Sequence, residues 1–234
     1  MPLRRLPLES VLNVRDLGGY PTKEGKETKF KKFLRSADLS NATTADITYL
    51  KEYGLTTVID LRSLLELSKK PSSLQNIEGI EYIHLPLMLE EMANPKPNAK
   101  GYIELTLADL YVTILKTPDK IKLLIDTIAS KNGVILFNCS AGKDRTGITA
   151  ALLLGLAGVD KQDILADYQI TFTYLRPMVD SLLKSFPGMP QHVMESKPDW
   201  MEQALDYAGD INSYLLSCGI EQTTINKIKS EFII

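Results

Sequence analysis

Histidine and cysteine are scarce in this 234-residue chain, two of each. His84 and His192 lie far apart with no cysteine at metal-ligand spacing, so each reads as an ordinary strand or loop residue, and neither a metal nor another cofactor is expected. No sustained apolar run occurs. Met1-Pro2-Leu3-Arg4-Arg5 carries positive charge, but the residues after it never form a hydrophobic stretch, which predicts neither a signal peptide nor stable membrane insertion. Neither sign of charge is in excess: 27 Lys and Arg against 29 Asp and Glu leave a net charge of -2, which argues against a broad nucleic-acid-binding surface. Internal repeats and low-complexity tracts are also missing. Gly142-Lys143 invites comparison with nucleotide-binding loops, but Lys143 is followed by Asp144 and no glycine lies five positions before Gly142, which sets aside a kinase or ATPase.

What the chain does have is concentrated in residues 134–147. The apolar run 134–137, bounded by Gly133 and Asn138, is too short for a helix and reads as a buried strand. After Gly147 the segment with Ile148, Ala151, Leu152, Leu153, Leu154, Leu156 and Ala157 ends at Gly158 and reads as a buried helix. Residues 139–145 would then wrap a helix N-terminus, where unpaired amides and the dipole favour a phosphate. A helix N-terminus beside an arginine also favours the thiolate, the nucleophilic form of Cys139. Arg145 offers a planar fork for two phosphate oxygens. Ser140, Ala141 and Gly142 are small enough for the loop to curl inward, and Thr146 is placed to hydrogen-bond the thiolate.

Cys139-Ser140-Ala141-Gly142-Lys143-Asp144-Arg145-Thr146-Gly147 resembles the C-x5-R phosphate loop of the cysteine-dependent protein tyrosine phosphatases. With Asn13-Val14-Arg15-Asp16-Leu17-Gly18-Gly19-Tyr20, Leu34-Arg35-Ser36, Val58-Ile59-Asp60-Leu61-Arg62-Ser63 and Asp167-Tyr168, it is similar to the atypical bacterial tyrosine and phosphoinositide phosphatases. The loops of that family usually begin His-Cys, whereas this chain has Asn138-Cys139. Asparagine can supply hydrogen bonds but no charge change, so reduced or pH-shifted activity is expected. Because a disulfide between Cys139 and Cys218 would disable the loop, a reducing, cytoplasmic setting is implied, unless an export segment has been removed. Cys218 itself reads as a semi-buried small side chain.

Around the loop the chain alternates strands and helices. Thr43 and Thr44 are candidate caps for a helix through Tyr53 with Gly54 as its stop, followed by a strand at 55–61 and another at 82–86. Lys23-Glu24-Gly25-Lys26 reads as a hairpin tip, 90–100 as a loop facing the site, and 102–116 and 119–131 as helices. A helix from Asp160 to about Tyr174 and two C-terminal helices near 199–217 and 221–231 complete the pattern. The expectation is an α/β fold in a single domain, residues 1–234, with a mixed or largely parallel sheet between helices. Residues 175–199, rich in proline, are equally a helical lid or a packed connector.

The resemblance implies a metal-independent phosphatase acting through a phosphocysteine on phosphotyrosine, with phosphoinositides as further substrates, dual specificity and inorganic phosphate as product. Catalysis needs a carboxyl group near the loop. Asp144 is favoured, since phosphatases of lipids with a similar loop use an aspartate there. Asp60, at a strand end, either reaches the site, orients Arg145 or only closes its strand. Lys143 adds a positive charge suited to a polyanionic substrate, and Arg15 and Asp16 are read as support for the loop rather than as catalysts. Two other classes compete: a phospholigand-binding module with little turnover, and a sulfurtransferase of the rhodanese type, whose loops usually differ in length.

Overall fold

The computed structural model describes residues 4–88, 107–185 and 195–234. Five strands, β1 (Arg15–Asp16), β2 (Phe33–Ser36), β3 (Leu55–Asp60), β4 (Glu81–His84) and β5 (Val134–Asn138), form one sheet in the order β1-β2-β5-β3-β4. Only the β1–β2 pair is antiparallel. The mixed, mostly parallel α/β architecture is the one expected.

β5 is central because its residues suit burial on both faces. Ile135 and Phe137 enter one core with Ile59, while Val134 and Leu136 enter the other with Leu34 and Val58, the alternation a strand imposes. The first core is covered by α4 (Pro118–Ser130), α5 (Asp144–Leu156) and α10 (Gln222–Phe232), among others, and the second by α1 (Thr44–Tyr53) and the N-terminal segment carrying Leu6, Val11 and Val14. Parallel register sets Ser36 and Asp60 on either side of Asn138, so three strands end together one residue before Cys139. Crevices at such carboxyl ends are where open α/β sheets bind ligands.

The helix ends follow local chemistry. Thr43 and Asp46 form a reciprocal capping box on α1, and Gly54, at φ 107°, ends it. The remaining helices are α2 (Leu64–Lys69), α3 (Leu107–Leu115), α6 (Lys161–Tyr174), α7 (Arg176–Ser185), α8 (Pro198–Ala208) and α9 (Ile211–Ser217). Two boundaries correct the sequence expectation. The helix expected after Gly147 begins at Asp144, which places Arg145 and Thr146 in its first turn. The helix expected near 199–217 is two helices, because Gly209 takes φ 60° and Asp210 then caps α9 by accepting from the Ser213 amide at 2.8 Å.

The loop expected at 90–100 lies outside the described residues, as do His192 and residues 186–194 of the segment read as a lid. The described parts of that segment are Leu175, α7 and residues 195–199, with Leu175 and Val179 buried against Ala37 and Ala141 of the loop packed alongside. Among the described residues no helix is long and apolar enough to cross a membrane.

Phe137 is fully buried next to the loop's own strand. Phe137→Ala is expected to cost about 3–5 kcal/mol through lost burial and the cavity left behind, read as a lowered urea midpoint with little change in slope.

Candidate active site

Residues 139–143 connect β5 to α5. Gly142 makes the turn possible: its φ is 64°, and a Cβ there would lie 2.4 Å from the Ser36 carbonyl oxygen. The carbonyls around this turn face outward, each against a donor from the scaffold. Ser140 O accepts from the Asp38 amide at 3.1 Å, Ala141 O from Asn13 Nδ2 at 3.0 Å, and Gly142 O from Asn13 Nδ2 at 2.9 Å and Arg35 Nη2 at 2.8 Å. Among the described residues all peptides are trans, and in a trans peptide the N–H opposes the C=O. The amides of Ala141, Gly142 and Lys143 are thereby turned to the inner side of the loop, a concavity of backbone donors with the geometry that suits an anion.

A buried charge cluster holds these donors in place. Arg15 Nε donates to Asp167 Oδ1 at 2.8 Å, Arg15 also bonds Asn13, and Arg35 closes on Asp167 Oδ2. Tyr20 Oη donates to the same carboxylate at 3.1 Å. Burial would push the Asp167 carboxyl up, but the two guanidinium charges hold it well below the usual carboxylate range. The expected support role of Arg15 is met through this cluster. Asp16 instead fastens the neighbouring turn, accepting from the Gly18 and Lys31 amides at 2.7 and 2.8 Å and from Tyr53 Oη at 2.7 Å.

Cys139 is almost completely buried and unpaired with Cys218. Arg145 is gripped end-on by Glu66, Nη1 to Oε2 at 2.5 Å and Nη2 to Oε1 at 2.8 Å, while its buried Nε has no partner among the described residues. Ser140 Oγ donates to the same Glu66 oxygen that Nη2 uses. Burial would lower the Arg145 guanidinium, yet the hydrogen bonds and charge of Glu66, with the nearby Cys139 and Asp144, raise it. Glu66 is pulled the other way: burial pushes its carboxyl up, and the bonds and charge of Arg145, with Ser140 and the Ser63 amide, hold it at about 2.

Glu66 went unnoticed in the sequence, although a signal was there. Ser63-Leu64-Leu65-Glu66 has the S-x-x-E spacing of a capping box, and α2 begins that way: the Glu66 amide donates to Ser63 Oγ at 3.2 Å and the Ser63 amide to Glu66 Oε2 at 2.8 Å. One carboxylate thus fixes a helix end and the loop arginine together.

The other expected residues separate into groups. Asp144 opens α5 and accepts from Tyr111 Oη at 2.7 Å. Lys143 is buried rather than solvated, with Nζ 3.2 Å from Glu195 O, 3.5 Å from Asp144 Oδ1 and 5.7 Å from the centre of the Trp200 ring. Asp60 is fully buried and bound to Arg62 (Nη2 to Oδ2, 2.6 Å) and Tyr82 (Oη to Oδ2, 2.6 Å); the carboxylate that meets Arg145 is Glu66. His84 Nε2 lies 2.8 Å from Arg62 O, an ordinary strand contact.

Two details correct the sequence reading. Thr146 Oγ1 makes no hydrogen bond to Cys139 or to any other described residue, because the early start of α5 makes Thr146 a helical residue with the limited side-chain torsions of a β-branched group. Asn138, expected to supply hydrogen bonds in place of histidine, makes none with either end of its amide among the described residues, since strand register encloses it between Ser36 and Asp60. The described residues contain no group of three or more His, Cys, Asp or Glu arranged to hold a metal.

Because the folded Glu66 carboxyl lies below its ordinary value, its stabilisation is present above about pH 4.5 and is lost as pH falls through about 2. Glu66→Gln is therefore expected to unfold at lower urea than wild type at pH 7, by on the order of 1–3 kcal/mol after solvent screening, with the gap closing towards pH 2. A gap independent of pH would refute this. Asn138→Leu removes two unsatisfied buried groups at nearly constant volume, so its melting temperature is expected to equal or exceed that of wild type; a clear drop would show that the amide is bonded.

A sequence model of the tyrosine phosphatase family matches residues 6–234. A tyrosine-protein phosphatase of Nostoc commune is 37% identical over 145 residues, 61% of this chain and 49% of that protein, so the chain spans about half that relative's length. PtpB of Mycobacterium tuberculosis, a triple specificity protein phosphatase, is 24% identical over a 279-residue alignment taking in 98% of both chains. The crystal structure of TpbA from P. aeruginosa matches 83% of this chain and 90% of its own at 17% identity and a TM-score of 0.39. With the family model extending over residues 6–234, this chain belongs to the tyrosine phosphatase family.

Proposed function

We propose that this protein is a phosphomonoesterase that hydrolyses phosphotyrosine through a phosphocysteine intermediate. The observation that supports it best is the pairing of Cys139 with a loop whose amides are turned inward and an arginine whose buried Nε has no partner. A buried guanidinium N–H without an acceptor is costly, and a tetrahedral dianion in the loop would satisfy that of Arg145.

In this reading Cys139 Sγ, as thiolate, attacks phosphorus in line with the leaving oxygen. The amides of Ala141, Gly142 and Lys143 and the free edge of Arg145 hold the non-bridging oxygens, while Glu66 keeps the guanidinium plane fixed from its opposite edge. Asp144 gives its proton to the leaving oxygen as the P–O bond breaks, and afterwards takes one from the water that displaces sulfur, releasing inorganic phosphate. Asp60, held by Arg62 and Tyr82, acts as a strand-end support that positions the neighbouring chain, and the protonated Asp144 carboxyl group beside the loop is the proton donor.

Phosphotyrosine is the substrate the family membership favours. Phosphoinositides are the second class, supported by the Lys143 cation next to Arg145, which would meet an additional phosphate.

The test is phosphate release from a phosphotyrosine peptide in the presence of a chelator. Wild type is expected to turn over undiminished by metal removal. Cys139→Ser should lose at least about a thousandfold in kcat while still binding phosphate, and Arg145→Ala should lose both turnover and binding. Undiminished activity in Cys139→Ser overturns the mechanism, and phosphate binding without turnover in wild type favours a binding module.

A further inference from the structure

Three helices meet at Asp144. Tyr111 comes from α3, Tyr168 from α6, and Asp144 opens α5. Tyr111 Oη donates to Asp144 Oδ1 at 2.7 Å and stands 2.6 Å from Tyr168 Oη. The two rings meet edge to face, with centroids 5.9 Å apart and planes at 86°. Both tyrosines are buried, whereas the Asp144 side chain is 24% exposed. Gly147 makes room for the arrangement, since a Cβ there would come within 3.2 Å of the Tyr168 ring.

The site reading uses neither hydroxyl, and packing alone does not require them, because phenylalanine would fill both positions. From this geometry we propose that Tyr111, backed by Tyr168, is a positioning residue that presents Asp144 as the proton donor; the proposal rests on the reading of Asp144 as the acid.

The direction of the chain follows from valence. A carboxylate oxygen only accepts, so the single hydroxyl proton of Tyr111 goes to Asp144, and Tyr168 must donate to the Tyr111 oxygen. Burial first, and the Asp144 charge second, push both phenols well above their ordinary range, which keeps them as O–H donors at working pH. Lys143 Nζ faces the same oxygen at 3.5 Å. With Oδ1 engaged from the protein side, the acidic proton belongs on Oδ2.

During the first step the Cys139 Sγ–P bond forms, the P–O bond breaks and the Oδ2 proton passes to the leaving oxygen. Negative charge then appears on Asp144 and strengthens the bonds from Tyr111 and Lys143. In the second step water attacks phosphorus, its proton returns to Asp144 and Sγ departs as thiolate. Interactions that strengthen as charge develops lower the barrier without tightening substrate binding. The benefit is greatest where the leaving oxygen is a poor leaving group and most needs the proton.

The experiment compares wild type, Tyr111→Phe, Asp144→Asn and the double variant on aryl monophosphates of graded leaving-group acidity, from p-nitrophenyl to phenyl phosphate. Tyr111→Phe is expected to lower kcat on phenyl phosphate by about tenfold, to change p-nitrophenyl phosphate by less than about threefold, and to leave KM in place. The double variant should lose no more than Asp144→Asn alone. Tyr168→Phe should act in the same direction more weakly, and it carries the test if Tyr111→Phe does not fold. Equal losses on every substrate in the tyrosine variants, or none, with the steep dependence retained in Asp144→Asn, overturn this proposal alone. A shallow dependence in Asp144→Asn overturns the acid assignment and the proposal with it, while Cys139→Ser reports separately on the phosphatase reading.

Discussion

The outward-facing carbonyls of the loop are the constraint on which the rest of this site depends. A five-residue connection between a strand and a helix has many accessible shapes, and nothing in the sequence 139–143 selects the one with three amides pointing inward. Selection comes from outside, where Asn13, Arg35 and the Asp38 amide offer donors at the places the carbonyls must occupy. Arg35 directly, and Asn13 through Arg15, are themselves pinned by Asp167, a residue on α6. The geometry of the loop is thus fixed by residues that lie outside it.

That support has an unusual charge balance. Two buried guanidinium groups share one carboxylate, and one of them, Arg35, ends on the loop carbonyl of Gly142. Removing charges from water is expensive, and such clusters seldom add net stability over a well-packed apolar alternative. Their value here is orientation and field: the uncompensated positive charge sits under a loop that is proposed to hold a thiolate and a dianion, in surroundings where electrostatic interactions are weakly screened. Glu66 has the complementary effect. It neutralises the outer edge of Arg145 and leaves the inner edge to a ligand, so the arginine is ordered before any anion arrives and less freedom remains to be lost on binding.

The sequence disclosed those parts of the molecule that are local. The apolar run 134–137, the Thr43 cap, the Gly54 stop and the cysteine-to-arginine spacing each act within a few residues, and each is realised in the structure. What escaped depends on contacts between distant segments. β1 is two residues long and exists through its pairing with β2 and a bridge from Arg15 to Arg5, so no periodicity could announce it. Glu66 lies 79 positions from Arg145, and its capping-box spacing marks a helix start without saying what else the carboxylate would meet. Asn138 shows the limit from the opposite side: its polarity promised hydrogen bonds, but burial at the end of the central strand denies them.

Asn138 also bears on how such a loop keeps its chemistry without the histidine usual in the family. An imidazole at this position would bring a titratable group into the central strand, whereas the asparagine brings none. The charges acting around Cys139 then come from Arg145 and its Glu66 partner, from the Arg15–Asp167–Arg35 cluster beneath the loop and from the buried Lys143. A site arranged in this way has traded an adjustable neighbour for a fixed field. The hydroxyls of Tyr111 and Tyr168 extend that fixed arrangement to Asp144, the proposed proton donor.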